Sequence, residues 1–242
     1  MRLLLTAVNC PKGGIETNLA RHRELLAQGQ DSGCDLVLLP EMSLTGYLPG
    51  AAISLSERSV TGLVESTAEA PSLCFGLVEH AERGRAPYIT QVLASGGRIT
   101  AVHRKAGLGE GEDGPFGPGT PSGSMPVAGV ACSLAVCAEI GTEPPYRQGA
   151  TLVLAPAAPG LYGPRRQSDA DWKRGFDWWR SSVVADARRL LPLKSWLAVS
   201  TQSGATEDED FPGWAALIGP GGRVIEELHD WRDGTLVVDL PT

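Results

Sequence analysis

Leu36-Val37-Leu38-Leu39-Pro40-Glu41 decides the fold: four apolar residues without interruption, a proline that stops them, and a carboxylate directly after. A run so short and so uniformly apolar reads as a strand buried on both faces. Working outward, residues 3–8 form a second such run, followed by the turn residues Pro11, Gly13 and Gly14. Ile15, Leu19, His22 and Leu26 then recur at helical spacing, and the helix ends near Gly29 to Gly33. Strand, helix and strand in this order make a crossover unit, which belongs to α/β folds with helices layered on a sheet.

Further along, residues 73–78, 88–94 and 98–103 read as strands, the last two joined by Ser95-Gly96-Gly97 as a tight hairpin, so the middle of the chain is partly antiparallel. Glycine and proline dominate 107–123. A strand over 130–136, a short helix near 145–148 and a buried strand over 151–155 are expected next. Residues 156–177 form a polar and aromatic excursion, of the kind that shapes binding sites more often than cores. A helix over 178–191 follows, then strands over 196–201, 214–218, 223–228 and 235–238, with Pro220-Gly221-Gly222 as a turn. No internal repeat and no linker interrupts the pattern, so residues 1–242 read as a single α/β domain.

Composition narrows the function. The chain has 242 residues, 42% hydrophobic and 20% charged, which describes a globular protein. Its 21 basic and 28 acidic residues give a net charge of -7, a field that repels polyphosphates and argues against nucleic acid. No apolar run is long enough to cross a membrane, and residues 3–8 are too short for a signal peptide, so no membrane partner and a cytoplasmic location are expected. The five cysteines Cys10, Cys34, Cys74, Cys132 and Cys137 form no Cys-x-x-Cys pair, which disfavours a disulfide framework or a zinc site. A thiol nucleophile and small core hydrophobes remain as the uses of cysteine.

Glu41, Lys105 and Cys137 each lie just beyond an apolar strand. In α/β architectures ligands bind beyond the carboxyl ends of strands, so the three can converge there. Singly, each has an ordinary structural reading; together they are a base, an electrostatic stabiliser and a nucleophile, the parts of an acyl-transfer site. None of His22, His80, His103 and His229 has an evident claim as the base. Cys132 and Cys137, five apart on one strand, would face opposite ways and are poorly placed to pair as a redox sensor.

Taken with His103-Arg104-Lys105-Ala106-Gly107-Leu108 and Leu134-Ala135-Val136-Cys137-Ala138-Glu139, the opening segment resembles the three ordered signatures of the nitrilase, or carbon-nitrogen hydrolase, superfamily. The resemblance runs from Leu3 to about Asp239. It implies a four-layer α-β-β-α sandwich and cleavage of non-peptide carbon-nitrogen bonds by a Glu41, Lys105, Cys137 triad. It also implies a second glutamate six residues before Pro-Gly; Glu112, ahead of Pro118-Gly119, fits that place better than Glu110. In the mechanism it implies, Glu41 takes the thiol proton, Lys105 and the backbone N–H of Ala138 face the oxyanion, and a thioester forms on Cys137 with no metal or cofactor.

The expected activity is therefore hydrolysis of a small carboxamide. Ala138, where family members that act on nitriles carry tryptophan, argues against a nitrile substrate. Glu143 stands one residue earlier than the family's usual Pro-Glu, and Gly213-Trp214-Ala215 replaces its Gly-x-Ser. Arg165, Arg166 and Arg180 are candidates for a substrate carboxylate, Asp169 or Asp171 for an amine, and Trp172 for an aromatic wall. A homodimer with Trp178 or Trp179 in its interface is expected. An N-carbamoyl amidohydrolase, an amine-capturing acyltransferase and an inactive binding protein on the same scaffold are the alternatives.

Overall fold

The structure, a computed structural model, describes residues 1–142, 149–160, 168–190 and 194–241. Along the chain run β1 (Arg2–Val8), α1 (Ile15–Asp31), β2 (Leu36–Leu38), α2 (Arg58–Glu65), β3 (Ser72–Glu79), β4 (Tyr88–Ser95), β5 (Arg98–Arg104), β6 (Met125–Val127) and β7 (Val130–Leu134). After them come β8 (Leu152–Ala157), α3 (Asp169–Leu190), β9 (Trp196–Ala205), β10 (Asp210–Pro212), β11 (Trp214–Gly219), β12 (Arg223–His229) and β13 (Gly234–Asp239).

Strand pairing gives two sheets joined at one corner. The first runs β5-β4-β3-β2-β1-β13 and the second β6-β7-β8-β9-β11-β12, with β10 at the margin of β9. They meet where the last residues of β1, Ala7 and Val8, pair with Thr201 and Gln202 of β9. Within the first sheet β1, β2 and β3 are parallel; within the second, β7, β8 and β9 are parallel. The outer strands are antiparallel.

Each apolar run is continuous because each of its strands is covered on both faces. Leu3, Leu5, Leu36 and Leu38 point between the sheets, against Leu134, Leu152, Leu154, Ala198 and Leu217. The alternating residues Leu4, Val37 and Leu39 point outward onto Leu19, Leu25 and Leu26 of α1 and Val60, Leu63 and Val64 of α2. On the far side Val153, Ala155, Leu197 and Val199 pack under Phe176, Trp179, Val183 and Ala187 of α3. The layers are thus helix, sheet, sheet, helix, as the resemblance implied.

Some elements depart from the expected ones. Helix α3 begins at Asp169, not at Trp178, so the excursion is shorter than its composition suggests. Ser168 accepts a hydrogen bond from the Asp171 N–H at 3.2 Å, and Asp169 and Asp171 lie in the first turn, where carboxylates suit the helix dipole. Lys173 pairs with Asp177 one turn on. Trp172, Phe176, Trp179 and Val183 then follow at spacings of one helical face, an amphipathic pattern hidden by the charges around it. Helix α2 and the three-residue strands β6 and β10 were not foreseen. Residues 145–148 and Glu143 lie outside the described residues. Pro220-Gly221-Gly222 does join β11 to β12, and all five cysteines are free thiols.

Candidate active site

Glu41, Lys105 and Cys137 each follow the carboxyl end of a strand, Glu41 after β2, Lys105 directly after β5 and Cys137 after β7. Glu41 is followed by Met42 in the left-handed region, φ 50°, which turns the chain sharply away from the sheet. The turn lies so close to β3 that a Cβ on Gly76 would meet the Met42 nitrogen at 2.3 Å, so only glycine fits there. Gln202 Nε2 donates to the Glu41 carbonyl at 2.9 Å, and the Ala158 N–H donates to its carboxylate at 2.9 Å.

Lys105 is anchored by its own backbone: its N–H donates to the Ile89 carbonyl and its carbonyl accepts from the Gly119 N–H. Gly119 presses onto Arg104, where a Cβ would lie 2.2 Å from that residue's Cβ; this is the physical requirement behind Pro118-Gly119. The ammonium reaches Glu41 Oε1 at 2.8 Å and Glu112 Oε1 at 2.7 Å. Lys105 and Glu41 are completely buried and Glu112 almost so. Glu112 also accepts from the Tyr47 hydroxyl at 3.0 Å and from the Gly109 N–H.

Cys137 opens a 3-10 turn, Cys137–Gly141, with φ 47°. A non-glycine residue in this region costs roughly 1–2 kcal/mol and is retained where the surroundings impose it. Its side chain, partly exposed, faces a cavity of 590 Å³ whose wall includes Glu112, Ala138, Tyr47, Ala158, Trp179 and Val183. That volume suits a small organic molecule.

Electrostatics couple the group. Burial raises the Glu41 carboxyl to about 7, with Lys105 opposing and Glu112 reinforcing the shift. Burial and the Glu41 charge push the Cys137 thiol well above its ordinary value, while Lys105 pulls it down. Burial would lower the Lys105 ammonium, yet Glu41, Cys137 and Glu112 together raise it. The resting arrangement is thus a neutral thiol beside a poised carboxylate and a permanent cation. It can take a proton from the thiol and stabilise an oxyanion.

The structure brings Glu41, Lys105, Glu112, Cys137 and Ala138 together. Other candidates fall elsewhere. Trp172 stacks on Phe176 at 5.3 Å and is not part of the cavity wall, and Asp169 is exposed at the start of α3. Asp171 pairs with Arg174. Arg180 binds Glu227 through two contacts of 2.7 Å, a structural clamp between α3 and β12. Arg165 and Arg166 lie outside the described residues. Trp179 is buried against Trp214 and Trp178 is 65% exposed, and both line the cavity. Tyr47 and the Ala158 N–H were not foreseen, because neither belongs to a signature and a backbone donor leaves no mark on composition.

A model of the carbon-nitrogen hydrolase family matches residues 4–242. The chain is similar to the glutamine-dependent NAD(+) synthetase of Rhodobacter capsulatus, at 26% identity over 254 residues, covering 99% of this chain and 43% of that protein; it thus spans less than half of that relative's length. It is also similar to solved structures of an amidase from Nesterenkonia sp. AN1. One, a glutamate-to-glutamine variant carrying acrylamide on its active-site cysteine, has a TM-score of 0.80, 25% identity and coverage of 100% of this chain and 93% of that one. Another, a cysteine-to-alanine variant in complex with butyramide, has a TM-score of 0.78, 25% identity and coverage of 100% and 91%.

Proposed function

Because this chain belongs to the carbon-nitrogen hydrolase family, we propose that it is a thiol amidohydrolase acting on a small carboxamide through a thioester on Cys137. The observation that carries the reading is the fully buried Lys105 ammonium held between Glu41 and Glu112 behind a cavity that Cys137 faces. A buried cation is costly, and its partners must be placed well to hold it. Here the partners are the groups an acyl transfer needs.

Glu41, held near pH 7, accepts the thiol proton as sulfur attacks the carbonyl carbon. Burial favours the protonated thiol at rest, so a base must be at hand when sulfur attacks. The carbonyl oxygen, now negative, faces Lys105 Nζ and the Ala138 N–H, which belongs to the first turn after Cys137, where no intraturn acceptor is available. The C–N bond breaks as Glu41 returns its proton to the leaving amine. Water then gives a proton to Glu41 and its oxygen to the thioester carbon. The acid departs, and Cys137 regains a proton from Glu41. Glu112 orients the substrate nitrogen and steadies Lys105.

Ala138 leaves room beside the nucleophile, which supports a carboxamide over a nitrile. Butyramide, which the Nesterenkonia amidase binds, and glutamine, on which the NAD(+) synthetase depends, are the first substrates to try. Among the described residues no helix is long and apolar enough to cross a membrane. Two copies paired through α3 with Trp178 in the contact belong to the same reading.

The test is intact mass after incubation with carboxamides and N-carbamoyl compounds, beside Cys137→Ala and Glu41→Gln. An acyl adduct on the wild type, absent in Cys137→Ala and accompanied by ammonia, supports the proposal. Carbon dioxide release redirects it to N-carbamoyl substrates, and undiminished turnover in Cys137→Ala overturns it.

A further inference from the structure

Lys105 and Cys137 follow strands of different sheets, and no strand pairing joins β5 to β7. What spans the gap is Glu139. Its side chain is 2% exposed, so the lone pairs of its carboxylate must find donors within the protein. Oε1 accepts from the N–H groups of Ala106 at 2.8 Å and Gly107 at 3.2 Å, the two residues directly after Lys105. Oε2 accepts from the Val136 N–H at 2.9 Å, directly before Cys137, and from His103 Nε2 at 2.8 Å, two residues before Lys105.

His103 is itself completely buried and its tautomer is assigned by its neighbours. The Ser122 N–H donates to Nδ1 at 3.2 Å, which makes Nδ1 the acceptor and Nε2 the nitrogen that carries the proton toward Glu139. Burial would raise the Glu139 carboxyl, but the hydrogen bond from His103, with those from the Val136 and Ala106 N–H groups, outweighs burial and holds it at about 2. One ionised carboxylate therefore grips the backbone on both sides of the seam between the sheets.

We propose that Glu139, with His103 behind it, is a positioning residue that sets Lys105 against Cys137 by bonding the backbone beside each of them. The inference rests on the amidohydrolase reading, since it concerns the geometry of that same site. Neither residue touches the reacting atoms. A displacement of about 1 Å between nucleophile and stabiliser can cost on the order of a hundredfold in rate, so a lost grip is read in kcat.

Glutamine at position 139 keeps the shape but offers one acceptor oxygen and turns an amide N–H toward a donor. Glutamine at position 103 can deliver the same N–H that His103 Nε2 does, and leucine cannot. The experiment measures kcat, KM and the rate of Cys137 alkylation by chloroacetamide across pH, with peptide mapping and melting curves, for wild type, Glu139→Gln, His103→Gln and His103→Leu. Glu139→Gln and His103→Leu should lose roughly tenfold to a hundredfold in kcat with KM little changed. Their Cys137 alkylation should slow with a displaced pH midpoint, and His103→Gln should recover most of both.

Folded Glu139→Gln and His103→Leu with wild-type kcat and alkylation profiles overturn the proposal. So does equal loss in both His103 variants in step with melting temperature, which is a structural role alone. If Glu139→Gln does not fold, the two His103 variants decide. A folded wild type that neither hydrolyses amides nor alkylates at Cys137 overturns the amidohydrolase reading, and this one with it; a reactive wild type confines any failure to the positioning role.

Discussion

The ammonium of Lys105 lies 2.8 Å from Oε1 of Glu41 with neither side chain exposed to solvent. Because Glu112 takes the same ammonium at 2.7 Å, one cation balances two carboxylates. Lys105→Met should strand both, costing about 3–5 kcal/mol of stability and on the order of a thousandfold or more in kcat. Denaturant titration beside steady-state kinetics checks both figures. A stable, active Lys105→Met enzyme would refute the assignment.

Glu41 gives a pH dependence whose sign can be worked out. Burial raises its carboxyl from the ordinary 4.5 to about 7, and it acts as a base only when ionised. kcat/KM should therefore rise with pH and reach half its plateau near 7 through a single ionisation. The same shift means the folded state holds this proton more tightly than the unfolded one. Its contribution to stability is present in full below about 4.5 and lost as pH rises through 7. A plateau already reached at pH 5 would count against Glu41 as the base.

Tyr47 donates its hydroxyl to Glu112 at 3.0 Å on the cavity wall. Tyr47→Phe keeps the edge-on contact with Phe116 and removes only that bond. The expected cost is about 1 kcal/mol in transition-state binding, roughly fivefold in kcat/KM, with the melting temperature nearly unchanged. Kinetics on one carboxamide suffice to test it.

Arg180 and Glu227 form a structural clamp, and Trp214 Nε1 donates to the same carboxylate at 2.9 Å. Glu227→Ala should leave both donors unanswered at a partly buried site, lowering stability by about 2–3 kcal/mol. For a chain of this size that corresponds to a melting temperature lower by roughly 5–10 °C. Calorimetry reads it directly, and Cys137 alkylation in the folded variant should remain close to wild type.

Ala138 keeps the space beside the nucleophile open, and a Cβ on Gly109 would lie 3.5 Å from its methyl group. Ala138→Trp should fill that space and raise KM about tenfold or more for longer carboxamides while sparing the shortest. Comparing acetamide with hexanamide separates the two outcomes; equal effects on both would place substrate elsewhere.

Much of this protein is legible in its amino-acid sequence. Residues 3–8, interrupted only by Thr6, and 36–39 are apolar without alternation, as in a strand covered on both faces, and the three ordered signatures named Glu41, Lys105 and Cys137. Local chemistry also marked the turn at Pro220-Gly221-Gly222. The pattern was less informative where apolar spacing was diluted by charge: Trp172, Phe176 and Trp179 belong to one buried helix face, but Asp171, Lys173, Arg174 and Asp177 among them read as a loop.

What the tertiary structure alone decided is who meets whom. Glu41 and Lys105 are 64 positions apart, and Ala158 reaches Glu41 across 117; no local rule of spacing or propensity carries such distances. Tyr47 on Glu112, and Glu139 between Lys105 and Cys137, follow from two sheets brought face to face by burial of their leucines. Amino-acid sequence determined the strands and the reactive residue types, because periodicity and side-chain chemistry are local. The hydrogen bonds that hold a buried cation and two carboxylates in one orientation had to await the packed fold, because they join elements that only packing makes neighbours.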